Sequence, residues 1–153
     1  MEYPSTRSTY RLAGIDSDHI MQIPEILHTT HLWFVVGLGN NPGRAAFGVA
    51  QFLQDHGKQI VPIHPRGETV HGEPGFVTIS AAAQVWGPPD VVDLFVNSTR
   101  AGDISDEGIL AGALVIWMQL GVIDEKAAQR ARAAGLTVVM DKCPAIEWRA
   151  ISD

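Results

Sequence analysis

The sequence predicts an α/β fold: an open parallel sheet of about five strands with helices on both faces. Two observations predict it. Short apolar runs, as at 32–36 and 114–118, alternate along the chain with stretches whose apolar residues recur at helical spacing. Those runs also lack the polar alternation of a half-exposed strand, as expected where helices cover a sheet on both sides. Right-handed crossovers between successive parallel strands then give a Rossmann-like arrangement. Ligands of such sheets bind outside the strand C-termini, where the strand order reverses.

The elements follow in order. Residues 1–15 are polar and are expected to form a loosely held tail on a single domain spanning 1–153. Asp16 or Ser17 is suited to cap a short helix with Ile20, Ile23 and Leu27 on one face; Pro24 either kinks it or opens a second piece. The stretch 32–53, LWFVVGLGNNPGRAAFGVAQFL, reads as strand, glycine-rich turn and helix. Gly37, Leu38, Gly39, Asn40, Asn41, Pro42 and Gly43 form the turn, because Gly and Asn tolerate positive φ. Pro42 suits the first position of a helix. From Arg44 onward Ala46, Val49, Ala50 and Leu53 form a helical stripe, and Gly57 stops it.

Strand two is expected at 59–63, followed by a loop at 64–75 rich in Gly and Pro. Ser80 is expected to cap a helix at 81–86, and Gly87 with two prolines ends it. Strand three falls at 90–96. A helix at 101–112 is weakened by Gly102, Gly108 and Gly112. Strand four is 114–118. Asp124 caps the next helix, whose Ala127, Ala128, Ala131 and Ala134 make a small-residue stripe. Gly135 ends that helix, and strand five is 136–140.

A strand feeding a glycine turn and a helix N-terminus is a ready anion site, because free N–H groups and the helix dipole point at one spot. The turn is therefore a candidate phosphate cradle, although a tight turn without a ligand has the same pattern. It departs from the dinucleotide fingerprint G-x-G-x-x-G. Gly37 and Gly39 match, but Pro42 stands where the third glycine belongs. After the second strand come His64, Pro65 and Arg66, where an NAD-binding chain wants an acid. Arg66 is suited to a sugar phosphate instead. No Gly-Lys-Ser/Thr closes the turn, which excludes a P-loop.

These residues resemble the small stand-alone CoA-binding proteins, similar to the CoA-binding domain of the succinyl-CoA synthetase α subunit. The resemblance rests on the run 36–44 with Gly48-Val49-Ala50 behind it, and on Val61-Pro62-Ile63-His64-Pro65 with Gly67. It continues through Asp90-Val91-Val92-Asp93, Trp117-Met118-Gln119-Leu120-Gly121 and Val138-Val139-Met140-Asp141-Lys142-Cys143. It covers about residues 17–146. The family usually has Asn in place of His64, and often a charged pair after strand three, where this chain has Asn97-Ser98-Thr99-Arg100. The resemblance implies that coenzyme A, or an acyl-CoA, binds through Gly37, Gly39, Asn40, Asn41, Pro42, Gly43 and Arg44. His64, Pro65, Arg66, Asn97, Met118 and Gln119 are the further implied contacts. In the synthetase a separate domain and a phosphorylated histidine do the chemistry, so the resemblance implies binding without ligase activity. It also places Cys143 near the cleft, where oxidised CoA is expected to form a mixed disulfide unless the thiol is buried.

Composition bounds the alternatives. With 46% hydrophobic and 18% charged residues the chain is globular rather than disordered. A net charge of −6 excludes a general basic surface for nucleic acid, so an anionic ligand needs a local positive site. Cys143 is the only cysteine, which rules out an internal disulfide and fits a reducing, cytoplasmic setting. No apolar run reaches membrane-spanning length, and the first residues lack a signal-peptide core. The six histidines lack zinc-motif spacing, so no metal is expected. Ser98 and Thr99 lack a Gly-x-Ser-x-Gly turn, so no catalytic residue is assigned. Two other readings stand beside CoA binding. One is an NADP-binding enzyme with Arg44 or Arg66 on the 2′-phosphate; the other is a regulatory or interaction module with a vestigial pocket. The protein partner, and whether the chain forms a homo-oligomer, are left open.

Overall fold

The computed structural model describes residues 20–152. The expected tail at 1–15, and the caps assigned to Asp16 and Ser17, lie outside them. Strands β1 (Leu32–Val36), β2 (Gln59–Ile63), β3 (Val91–Leu94), β4 (Val115–Met118) and β5 (Thr137–Val139) form one parallel sheet in the order β2-β1-β3-β4-β5. The order reverses between β1 and β3, so the crevice at the carboxyl ends of these two strands is the switch point.

Among the described residues six helices accompany the strands: α1 (Ile23–Thr29), α2 (Ala45–Asp55), α3 (Ile79–Trp86), α4 (Ser98–Leu110), α5 (Glu125–Ala133) and α6 (Pro144–Ser152). Side-chain alternation along the strands divides the core into two clusters. Phe34, Val36, Val92, Leu94, Ile116 and Met118 pack with residues of α3, α4 and α5. Trp33, Val35, Val91, Val115 and Trp117 pack with residues of α1 and α2, and with Trp148 of α6. Both faces of the sheet are thus covered, which is why β1, β3 and β4 are buried at every position. Trp33 and Trp117 are fully buried, and each satisfies its indole N–H, the first on Thr30 Oγ1 at 2.9 Å and the second on the Lys142 carbonyl at 2.8 Å.

Several local expectations change. Pro24 opens α1 in its first turn, and Ile20 is exposed rather than on a buried face. Thr78, not Ser80, caps α3: its hydroxyl accepts the Ala81 N–H at 3.0 Å. Helix α4 starts at Ser98, and β3 is shorter than the apolar run that contains it. Gly108, which weakens α4 by propensity, lets it approach the sheet: a Cβ there would lie 2.8 Å from Ile116 Cδ1. Asp124 caps α5 through the Ala127 N–H, and Ala127, Ala128 and Ala131 are buried, whereas Ala134 is exposed. Helix α6 was not anticipated; Pro144 opens it, as its fixed φ permits.

Candidate functional site

The glycine turn leaves the end of β1 directly at the switch point. Gly37 keeps its N–H on the Ile63 carbonyl of β2 at 2.8 Å, while its φ is +95°. A Cβ at Gly37 would meet the Phe95 carbonyl oxygen, just past β3, at 2.2 Å. Only glycine satisfies both conditions, so the chain turns off the sheet while pressed against the β3 end. Leu38 then anchors the turn in the core.

Beyond Leu38 the backbone faces outward. Asn41 Oδ1 accepts the Gly43 N–H at 2.9 Å and the Asn41 carbonyl accepts the Arg44 N–H at 3.1 Å, which shapes the approach to α2. Arg44 is the N-cap, is exposed, and makes no side-chain cap. Pro42 therefore sits in the turn, short of the first helical position expected for it. Among the described residues, no hydrogen bond engages the N–H groups of Gly39, Asn40, Ala45 or Ala46. These are the donors an anion at a helix start requires.

The loop after β2 closes one side of the turn. It is an ordered element: His64 N–H donates to the Phe76 carbonyl and Phe76 N–H to the Pro62 carbonyl, at 3.0 and 2.9 Å. Val70 is fully buried beneath it. His71 docks the loop on α2, its Nε2 lying 2.8 Å from the Phe47 carbonyl. His64 Nδ1 accepts the Arg66 N–H at 3.2 Å, which leaves Nε2 as the donor of the neutral ring. That Nε2 faces Gly39, 3.3 Å from where a Cβ would stand. Asn40 Nδ2 bridges to the loop, donating to the Thr69 carbonyl at 2.8 Å and to Glu68 Oε1 at 3.4 Å. Pro65 and Arg66 are exposed in the turn that follows β2, and Arg66 Nη1 lies 3.9 Å from Glu68 Oε2. Glu68 is the residue sequence reasoning missed. It lies not directly after β2 but further along the loop, which folds it back over Gly39.

The other strand ends contribute differently. Asn97 is the exposed N-cap of α4, beside the crevice. Ser98 Oγ accepts the Ile123 N–H at 3.0 Å and donates to the Gly121 carbonyl at 3.2 Å, and Asp141 Oδ1 accepts the Gly121 N–H at 2.7 Å. These bonds fasten the ends of β3, β4 and β5 to one another. Met118 and Gln119, expected as ligand contacts, turn inward. Met118 is fully buried in the core, and Gln119, 4% exposed, donates its amide N–H to Asp93 Oδ1 at 2.6 Å. Both side chains are buried at the carboxyl end of β4. Cys143 is likewise buried, the condition under which its thiol does not meet a ligand.

Asp93 lies in the middle of the sheet between β1 and β4, fully buried, and its Oδ2 has no partner among the described residues. Burial pushes its carboxyl up to about 8, against the Gln119 hydrogen bond, which favours the charged form. It is therefore a neutral acid below that pH. At the amino end of the edge strand β2, Lys58 donates to the Leu27 and Thr30 carbonyls at the end of α1. Burial lowers its ammonium to about 8, with Asp90 opposing. No cluster of potential metal ligands occurs among the described residues, and no helix there is long and apolar enough to cross a membrane. An open groove of about 390 Å³ between α3 and α4 shares no residue with the turn.

Comparison with known proteins decides the family. The model of the CoA binding domain matches residues 31–149, which takes in every strand and the whole of the turn. The chain belongs to the CoA-binding domain family. It is similar to the uncharacterized protein YneT of Bacillus subtilis (strain 168), 34% identical over 122 residues, 80% of this chain and 88% of that one. Among solved structures it is similar to a hypothetical protein from Pyrococcus horikoshii OT3. Here the TM-score is 0.80 and identity 26%, over 100% of this chain and 99% of the other. It is also similar to Prb, a protein redesigned for binding, with TM-score 0.79 and 29% identity over 91% and 94% of the two chains. The family match and these likenesses each cover most of the chain, so the fold and family rest on far more than the turn alone.

Proposed function

We propose that this protein binds coenzyme A or an acyl-CoA through the turn at 39–44, and has no ligase chemistry of its own. The observation that carries the reading is the set of free N–H groups at the turn and the first residues of α2, at the strand-order reversal of a CoA-binding domain. The phosphates lie on those N–H groups, with Arg44 and the Nε2–H of His64 beside them. Arg66 takes the 3′-phosphate of the adenosine end, and Asn97 borders the crevice where the strand order reverses.

Native mass spectrometry of the purified protein tests the ligand: an adduct of CoA mass supports the reading, and one of NADP mass replaces it. Calorimetry tests the residues. A charge-assisted contact to phosphate contributes about 1.5–3 kcal/mol, so Arg44→Ala is expected to weaken CoA roughly tenfold or more. The melting temperature of the ligand-free variant should stay close to that of the parent, because Arg44 is exposed and caps nothing with its side chain. Unchanged affinity removes Arg44 from the site. Equal affinities for CoA and dephospho-CoA remove the phosphate role of Arg66.

A further inference from the structure

Glu68 sets a carboxylate against the donors that an incoming phosphate would use. Its Oε1 accepts from Asn40 Nδ2 at 3.4 Å and its Oε2 lies 3.9 Å from Arg66 Nη1. The carboxylate hangs over Gly39: Oε1 is 3.6 Å from where a Cβ would be, and the His64 ring is 3.3 Å from the same point. The loop that carries it is held on both sides, by the Val70–Glu73 bridge and by the pairing of Ile63 with Phe76. An acid directed at this position from an ordered loop is an anion already in place at an anion site. A second anion placed beside it meets like-charge repulsion in a half-buried setting, where screening is incomplete.

We infer that Glu68 is an internal counter-anion of the phosphate cradle, which a phosphorylated ligand must displace from Arg66 and Asn40. The inference rests on the reading of the turn as a phosphate site, and adds a determinant of its affinity. Displacement frees the guanidinium for the ligand but leaves the tethered carboxylate close by, so its repulsion persists. Weak ligands with a single phosphate then lose to the resident carboxylate, whereas a ligand bearing several phosphates recovers the exchange through the N–H groups of the turn. Glu68 thus lowers the affinity of the turn for phosphorylated ligands.

The test uses the full chain and two probes, inorganic pyrophosphate and CoA, titrated by calorimetry into the parent, Glu68→Gln and Glu68→Ala. Neutralising the carboxylate is expected to tighten pyrophosphate by roughly threefold to tenfold in both variants. Melting curves establish that each variant is folded. Unchanged or weaker pyrophosphate binding in the folded variants overturns the inference; weaker CoA binding in both would make Glu68 an acceptor for a ligand hydroxyl instead. Absence of pyrophosphate binding in every variant overturns it as well. Should CoA bind none of the proteins while pyrophosphate tightens as stated, the counter-anion stands and the CoA reading fails.

Discussion

At the scale of single residues the buried Asp93 makes the sharpest prediction. Its carboxyl holds its proton up to about 8 in the folded chain, against about 3.9 for an unperturbed aspartate. Between those values the folded protein keeps a proton that the unfolded chain has lost, so unfolding releases one. Stability must then fall as pH rises through that window, by up to about 1.4 kcal/mol per pH unit, and level off above it. Asp93→Asn keeps the shape and a partner for Gln119 but has no proton to lose. The variant's melting temperature relative to the parent should therefore climb from pH 5 to pH 8; a constant difference would sink the assignment. Gly37 shows the opposite kind of constraint, set by space rather than charge, since the Phe95 carbonyl already occupies the volume of any Cβ.

At the scale of elements, the ends of helices were harder to place than their bodies. Ser80 and Thr78 are both plausible caps by residue type, but only Thr78 has extended backbone geometry and an oxygen on a helix N–H. Thr78→Ala should cost about 1 kcal/mol in urea denaturation, whereas Ser80→Ala, at an exposed helical position, should be close to neutral. Equal costs at the two positions would return the cap to Ser80. Helix α6 escaped notice because its sequence, PAIEWRAIS, is short and its apolar residues do not separate cleanly onto one face. What holds it is tertiary: it shares a cluster of rings with α1 and α2, with Trp148 edge-on to His28 and Phe52.

At the scale of the whole molecule, the parallel strands bring their carboxyl ends together along one edge of the sheet. Gly37, His64, Asn97 and Asp141 all follow the carboxyl ends of parallel strands. Hydrogen exchange with and without CoA should show slowed exchange at 37–46, in the loop 64–76 and at the start of α4. The groove between α3 and α4 should be unaffected. Protection confined to that groove would move the site away from the turn.

The chain's own pattern determined the strand–turn–helix at 32–55, the parallel sheet and the place of the glycine turn, because these depend on local runs, periodicity and backbone permissiveness. Leu32–Val36 and Gln59–Ile63 could be read directly for that reason. Only the tertiary structure decided which neighbours each strand has, and with them which side chains face the crevice. Met118 and Gln119 stand at a strand end in the sequence, and the tertiary packing buries both, Gln119 against Asp93. Glu68 lies well along an irregular loop in the sequence, and long-range bonds fold it back over Gly39. Local pattern sets the direction of the backbone; the direction of a side chain toward a site depends on contacts between residues far apart in the chain.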